Sequence, residues 1–291
     1  DIVTDVGLGV FRRMDAIIGC LDNRLARLYI NRQSFRVGKP WINGGIINLT
    51  GQMNVFKNGH GCYECMLTPI DWSVINEKLG CPDIAKRNAS AGRVPTTPLS
   101  SSIVAAMQVQ EALKVIHGFD KQLMTDEQLR YEGMNNWFIS YKYGPRLDTC
   151  SSHYTIPDDE LIQCDELSNK STLSETLAVI SSRIGKDVTI KLDYNVILSI
   201  YLSETKEEVN VVIPELKFKE EEQTAYRKHD RDIISFQKME SDFGPSYKDS
   251  DMKLSELGIP PLQILTIEDM DGEIYFVELS KDKDYISFNK N

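Results

Sequence analysis

The chain has 291 residues, 41% of them hydrophobic and 26% charged, with a formal net charge of −10. This is the composition of a globular protein long enough for two domains. The negative balance argues against nucleic acid as the main partner, and no apolar stretch reaches the length of a membrane span. The opening Asp1-Ile2-Val3-Thr4-Asp5 carries neither a basic nor an apolar leader segment, so no signal peptide is expected.

The charge is unevenly placed. From Thr155 onward there are about 29 acidic against about 16 basic side chains, which leaves the first 154 residues near +3. That break predicts a domain boundary near residue 155. The acidic half could steer a basic protein partner, or could simply keep the surface solvated.

In chain order, Asp15-Ala16-Ile17-Ile18-Gly19-Cys20 is a short apolar run that predicts a buried parallel strand ending in a buried Cys20. Asp22 and Asn23 follow at its carboxyl end, the edge at which open α/β sheets bind ligands. Leu25, Ala26, Tyr29 and Ile30 then recur at helical spacing, and Lys39 to Gly45 reads as a turn into a strand with a glycine break. A second helix is expected from Ser101 or Ser102 to His117, capped by serines and stopped by Gly118. Its apolar face would be Ile103, Ala106, Met107, Val109, Leu113 and Ile116.

Beyond residue 155 the pattern changes. Thr172-Leu173-Ser174-Glu175 is a capping box, and Leu173, Leu177, Ile180 and Ile184 continue one helical face. Val188 to Asp193 and Val196 to Ser203 read as strands, and residues 214–250 as a long polar insertion or loop. Leu254 to Leu257 is a short turn ended by Gly258, and a hairpin is expected around Asp271-Gly272. Together these elements predict a small α+β domain.

Three constellations carry chemistry. Cys62-Tyr-Glu-Cys65 and Cys150-Ser-Ser-His153 offer four ligands in two x₂ pairs, which suits tetrahedral Zn²⁺ with every position filled by protein. The alternative is a buried Cys62/Cys65 pair and a surface Cys150/His153 pair. A C-x-x-C without secretion signals also points to a reducing, cytoplasmic compartment. Asp22 could hold Mg²⁺ against nucleotide phosphates, or could only cap the next helix. Cys81 lies in Lys78-Leu-Gly-Cys-Pro82, where Lys78, Lys86 and Arg87 would favour a thiolate; a lone cysteine can equally be a small buried hydrophobe. Cys164 is expected in a linker outside the fold core.

The order D-N-R-L-A-R-L-Y-I-N, C-Y-E-C, G-C-P, V-P-T-T-P-L-S-S-S-I-V-A-A-M-Q-V-Q-E-A-L-K and C-S-S-H resembles the E1/ThiF/MoeB superfamily over residues 1 to about 154. Within it, the chain most resembles E1 enzymes that activate ubiquitin-like proteins, the NEDD8-activating enzymes in particular. The resemblance implies an α/β, Rossmann-like adenylation domain over residues 1–154 that holds a zinc site and a catalytic-cysteine crossover segment. Residues 155–291 would form a small α+β, ubiquitin-fold-like domain that recruits an E2-like conjugating enzyme.

It further implies ATP and Mg²⁺ as cofactors, with Asp22 on the metal and Asn23 lining the nucleotide. Arg27 is counted with Asp22 and Asn23 as a cofactor-binding residue, although with Asn31 it could instead brace the helix. Cys62, Cys65, Cys150 and His153 would hold Zn²⁺. Cys81 would take the acyl group from the adenylate as a thioester. The expected partners are a ubiquitin-like protein, an E2-like enzyme, and a second copy or another E1-like subunit in a dimer. A sulfur-carrier adenylyltransferase of ThiF/MoeB type and an inactive E1-like scaffold are the competing readings.

The sequence departs from the family in several places. The Gly-rich nucleotide loop and the upstream Arg and Lys are absent, so the chain is expected to begin inside the adenylation fold, about 60–100 residues late. The second ligand pair ends in His153 rather than Cys, no large cysteine domain is inserted, and residues 214–250 have no counterpart.

Overall fold

The computed structural model describes residues 1–76, 97–218, 220–227 and 233–286. It is mixed α/β, and its contacts divide it into two compact units. One is Phe11–Ile156; the other joins Asp1–Val10 to Pro157–Asn291.

The Phe11–Ile156 unit is built on a five-stranded sheet of order β1-β2-β3-β4-β5, comprising Ile17–Gly19, Trp41–Ile47, Thr50–Phe56, Glu127–Glu132 and Trp137–Lys142. β1 and β2 are parallel and joined through helix α2 (Arg24–Arg36); the remaining neighbours are antiparallel. A short helix α1 (Leu8–Arg12) precedes β1, and α3 (Pro69–Asn76) follows β3. The central strands bury Ile42, Met53 and Val55 against Ala112 of α4 (Pro98–Ile116). Gly44 and Gly45 do not break β2. A side-chain carbon on Gly44 would lie 2.5 Å from Gln108 Oε1, so glycine there admits the α4 side chain.

Helix α4 corrects the sequence reading twice. It starts at Pro98, with Thr97 as the cap accepting from Ser100 N at 3.2 Å, rather than at the serines. Its inward face is Ser100, Val104, Gln108, Glu111 and Ala112, whereas Leu99, Val109, Leu113 and Ile116 are exposed. The polar face is buried because its groups find partners. Gln108 Nε2 donates to Gly19 O at 2.9 Å and to Ile42 O at 3.0 Å. Glu111 accepts from Met124 N at 3.1 Å and pairs with Lys114.

The second unit has a six-stranded sheet of order β6-β11-β10-β7-β8, with β9 on β7. The strands are Leu161–Cys164, Val188–Leu202, Glu207–Pro214, Ile234–Phe243, Ile264–Asp269 and Ile274–Leu279 for β6 to β11. β6 and β11 are parallel; the other pairs are antiparallel. Helix α5 (Leu173–Ile184) has the predicted capping box at Thr172 and Glu175, and ends at Gly185 with φ 81°. It buries Leu173, Leu177 and Ile180 in a core with Val188, Ile190, Ile267 and Val277.

Three further expectations change here. The two strands read at 188–203 are one strand, β7, with irregular register between Lys191 and Val196. The polar stretch after 214 contains helix α6 (Glu220–Tyr226) and strand β9. Cys164 is not in a linker: it is fully buried on β6, in the core. The hairpin forms as expected, with Gly272 at φ 84° and Asp269 Oδ1 accepting from Asp271 N at 2.9 Å and Glu273 N at 3.0 Å. Residues 1–10 join this unit through Gly9 N to Leu262 O and Leu8 N to Gln263 Oε1. No helix among the described residues is long and apolar enough to cross a membrane.

Candidate functional site

Two arrangements in the Phe11–Ile156 unit bring predicted residues together. The first is a metal-type donor cluster. Cys62 precedes a short 3₁₀ turn (Glu64–Met66) that contains Cys65, and Cys150 precedes another (Ser151–His153) that contains His153, yet their four donor atoms lie within 4.8 Å of one another. Cys62 Sγ is 3.6 Å from both Cys65 Sγ and Cys150 Sγ, and Cys65 Sγ is 3.4 Å from His153 Nε2. A tetrahedron with Zn–S bonds of about 2.3 Å has edges of about 3.8 Å, so the four atoms sit close to the corners such an ion needs.

The electrostatics fit a cation. Burial pushes the Cys62 thiol up to about 12, against hydrogen bonds from Asn31 and the Cys65 backbone that favour its thiolate. Burial also raises Cys150. Burial, with Arg146 nearby, lowers His153 and keeps its ring neutral, as a metal ligand requires. The ring stacks on Phe35 at 5.5 Å, and its Nδ1 is buried with no hydrogen-bond partner among the described residues. Asn31, fully buried on α2, accepts from Tyr63 N at 3.0 Å and donates to Ser152 Oγ at 2.9 Å. It therefore reaches a residue inside each half-site.

The second arrangement is the carboxyl end of β1. Asp22 is exposed there. The residue that caps α2 is Asn23, not Asp22: Asn23 Oδ1 accepts from Ala26 N at 2.8 Å, and Asn23 Nδ2 donates to Asp22 Oδ1 at 3.1 Å. Arg27 donates to Leu21 O and to Asn43 Oδ1, both at 2.6 Å. It thus fixes the turn that carries Asp22. Gln108 donates to both Gly19 O, at the end of β1, and Ile42 O, near the start of β2, and so ties these neighbouring strands to α4. Arg24, next to Asn23, pairs with Asp71 of α3 at 3.1 Å. Cys20 is exposed here, contrary to the expectation of burial, with its sulfur 4.0 Å from Gln108 Oε1.

Cys81, with Lys78, Lys86 and Arg87, lies outside the described residues. Sequence reasoning missed Asn43, Gln108 and Glu64. No local pattern marks Gln108, because hydropathy turns Val109, Leu113 and Ile116 of its helix inward instead. Glu64 stands between two ligands in the sequence, which marks its neighbourhood but not its contacts.

With this geometry in place, comparison with known proteins gives the class. The model of the ThiF family matches residues 2–152, and the chain belongs to that family. The adenylyltransferase and sulfurtransferase MOCS3 of Drosophila persimilis is 28% identical over 144 residues, 48% of this chain and 29% of the relative. The ubiquitin-like modifier-activating enzyme 5 of Dictyostelium discoideum is 28% identical over 146 residues, 49% of this chain and 35% of the relative. Among solved structures, E. coli MccB with succinimide overlays 47% of this chain and 39% of its own, at 21% identity and a TM-score of 0.36. The chain spans about a third of the length of the curated relatives it matches.

Proposed function

We propose that this chain serves an E1-type activating enzyme, which adenylates the C-terminus of a ubiquitin-like protein and captures it on Cys81. The observation that carries this reading is the exposed Asp22 at the end of β1, on a turn held by Arg27, in a ThiF-family chain. Relatives named as an adenylyltransferase and as a ubiquitin-like modifier-activating enzyme support the same chemistry.

In this scheme the substrate's terminal carboxylate attacks the α-phosphorus of ATP. An acyl–phosphate bond forms and pyrophosphate leaves. The Cys81 thiolate then attacks the acyl carbon; a C–S bond forms, the C–O bond to phosphate breaks, and AMP leaves. Asp22 would hold Mg²⁺, which offsets the phosphate charge during the first step. Asn23, already committed to the helix cap, presents its amide beside that carboxylate, and Arg27 acts by holding the turn. Cys62, Cys65, Cys150 and His153 hold a structural Zn²⁺.

The second unit is read as a ubiquitin-fold-like domain for an E2-like enzyme. Its helix packed on a sheet with a parallel β6–β11 pair favours this. Deleting residues from about 165 onward should spare the thioester and abolish transfer to the E2. A dimer is favoured by the outer face of α4, which exposes Leu99, Val109, Leu113 and Ile116 and carries no free charge: Glu111 and Lys114, the helix's only ionic residues, pair with each other. The location is taken to be cytoplasmic, in keeping with unpaired cysteines. A sulfur-carrier adenylyltransferase would make the adenylate and lack the E2 step; an inactive scaffold would make neither adenylate nor thioester. Pyrophosphate exchange together with a thiol-sensitive conjugate, measured with ATP and a panel of ubiquitin-like proteins, separates the three.

A further inference from the structure

We propose that Glu64 is a positioning residue for the metal centre: it ties the two halves of the donor set to each other and both to helix α2, so that the site is assembled before an ion enters. The inference rests on the zinc reading of Cys62, Cys65, Cys150 and His153.

Glu64 stands between Cys62 and Cys65 but is not a ligand. Its side chain is 10% exposed, and its carboxylate is fully engaged. Arg32 of α2 grips it as a fork, Nε to Oε2 at 3.1 Å and Nη2 to Oε1 at 2.9 Å. Ser151 Oγ donates to Oε1 at 3.2 Å, and Ser152 Oγ donates to Oε2. Four donors occupy the roughly four lone-pair sites a carboxylate offers, so none is left for an ion.

The donors come from chosen places. Ser151 and Ser152 are the two residues between Cys150 and His153, the other half-site. Ser152 Oγ in turn accepts from Asn31, which also receives Tyr63 N, the remaining residue between Cys62 and Cys65. Every residue inside the two ligand pairs is therefore bound to α2 or to Glu64. The ring closes through Asn31 and Arg32, which are adjacent on one rigid helix.

The consequence is energetic. Two loops 88 residues apart must meet before four ligands can converge. In a site without such a clasp, the ion's binding energy has to order both loops. Here hydrogen bonds to a shared, nearly buried carboxylate do that ordering, and charge-assisted bonds of this kind are the stronger ones. Glu64 thus acts on metal affinity through ligand position, as outer partners of metal ligands do elsewhere.

The test titrates the reduced full chain with Co²⁺ and Zn²⁺ against a chromophoric chelator. Wild type should bind one ion and give the intense visible spectrum of tetrahedral thiolate-bound Co²⁺. Glu64→Ala should keep that spectrum at saturation and bind about 10–100-fold more weakly. Glu64→Gln, which can still accept from the serines, should fall between. Ser152→Ala, which leaves the Arg32–Glu64 pair in place, should weaken binding in the same direction and serves if Glu64→Ala fails to fold. Arg183→Ala, in the other unit, should leave metal affinity unchanged and controls for general loss of stability. Affinities of Glu64→Ala and Ser152→Ala within twofold of wild type would overturn the positioning role. A wild type that binds neither ion would instead overturn the zinc reading itself.

Discussion

Asn31 and Ser152 are 121 residues apart in the chain, yet the amide of one donates to the hydroxyl of the other at 2.9 Å, fully buried. This bond fastens the loop of the second ligand pair to α2, the helix whose first turn follows Asp22. The donor cluster and the carboxyl end of β1 are therefore both tied to one helix.

One prediction concerns the ion. Purified reduced protein should carry one zinc, and Cys65→Ser or Cys150→Ser should lose it, as read by elemental analysis. Burial holds the Cys62 thiol up near 12 when no cation is bound, so metal binding must expel protons. Zinc affinity should then fall steeply from about pH 8 to about pH 6. An affinity that is flat over that range would mean the thiols are not ligands.

Gln108 supplies a second. Gln108→Leu keeps the volume but strands the carbonyls of Gly19 and Ile42, which it now satisfies at 2.9 and 3.0 Å. Leaving such buried groups unpaired costs about 1–3 kcal/mol, and urea denaturation should show a loss of that size. A loss under about 0.5 kcal/mol would place the variant among neutral surface changes and contradict the bracing role.

The same residue explains what the sequence could and could not reveal. The caps of α2 and α4 fall on Asn23 and Thr97 rather than on Asp22 and the serines. The β1 run, the α5 capping box and the Asp271-Gly272 turn were legible because each rests on local chemistry within a few positions. The burial of α4 was not. Hydropathy turns Val109, Leu113 and Ile116 inward, but Gln108 and Glu111 have partners 66 and 13 residues away and so take the inner face. Strand β9 was hidden because its side chains are mostly exposed and it shows no inward alternation. The four-donor cluster was legible from paired spacing alone. Its clasp was not, since Glu64 gives no sign in the sequence of lying beside Ser151 and Ser152. The opposite fates of Cys20, exposed, and Cys164, buried, likewise depend on tertiary packing.

The outward face of α4 yields a third prediction. Leu99, Ser102, Ala106, Val109, Leu113 and Ile116 follow alternating steps of three and four residues. Antiparallel pairing with a second copy would set Leu113 against Ser102 and Val109 against Ala106, large against small. Leu113→Lys should change monomer stability by no more than about 0.5 kcal/mol, while shifting a dimer to monomer in analytical ultracentrifugation. A wild type that is monomeric at every concentration tested would remove this reading.

Acid stability supplies a fourth. The shielded Asp269 carboxylate binds Lys186 at 2.8 Å and two backbone N–H groups. The Lys186 bond, with the backbone donors, outweighs burial and holds it down to about 2. Its folded value lies below the unfolded value of about 4, so the unfolded chain takes up the proton first. The stability it contributes is complete above about pH 4 and is lost as pH falls toward about 2. Asp269→Asn should lower stability at neutral pH and flatten the pH dependence in that window. An unchanged acid profile would assign the acid sensitivity to other groups.

The proposed division of labour between Asp22 and Cys81 is tested most directly by one paired assay on the enzyme with ATP and a panel of ubiquitin-like proteins. Substrate-dependent pyrophosphate exchange reports the adenylate, and a thiol-sensitive band on a non-reducing gel reports the thioester. Cys81→Ala should keep the exchange and lose the band, and Asp22→Ala should lose both. A thioester band that persists in Cys81→Ala would contradict the assignment. The nucleophile would then have to be sought elsewhere, with the exposed Cys20 a more accessible thiol than the buried Cys164.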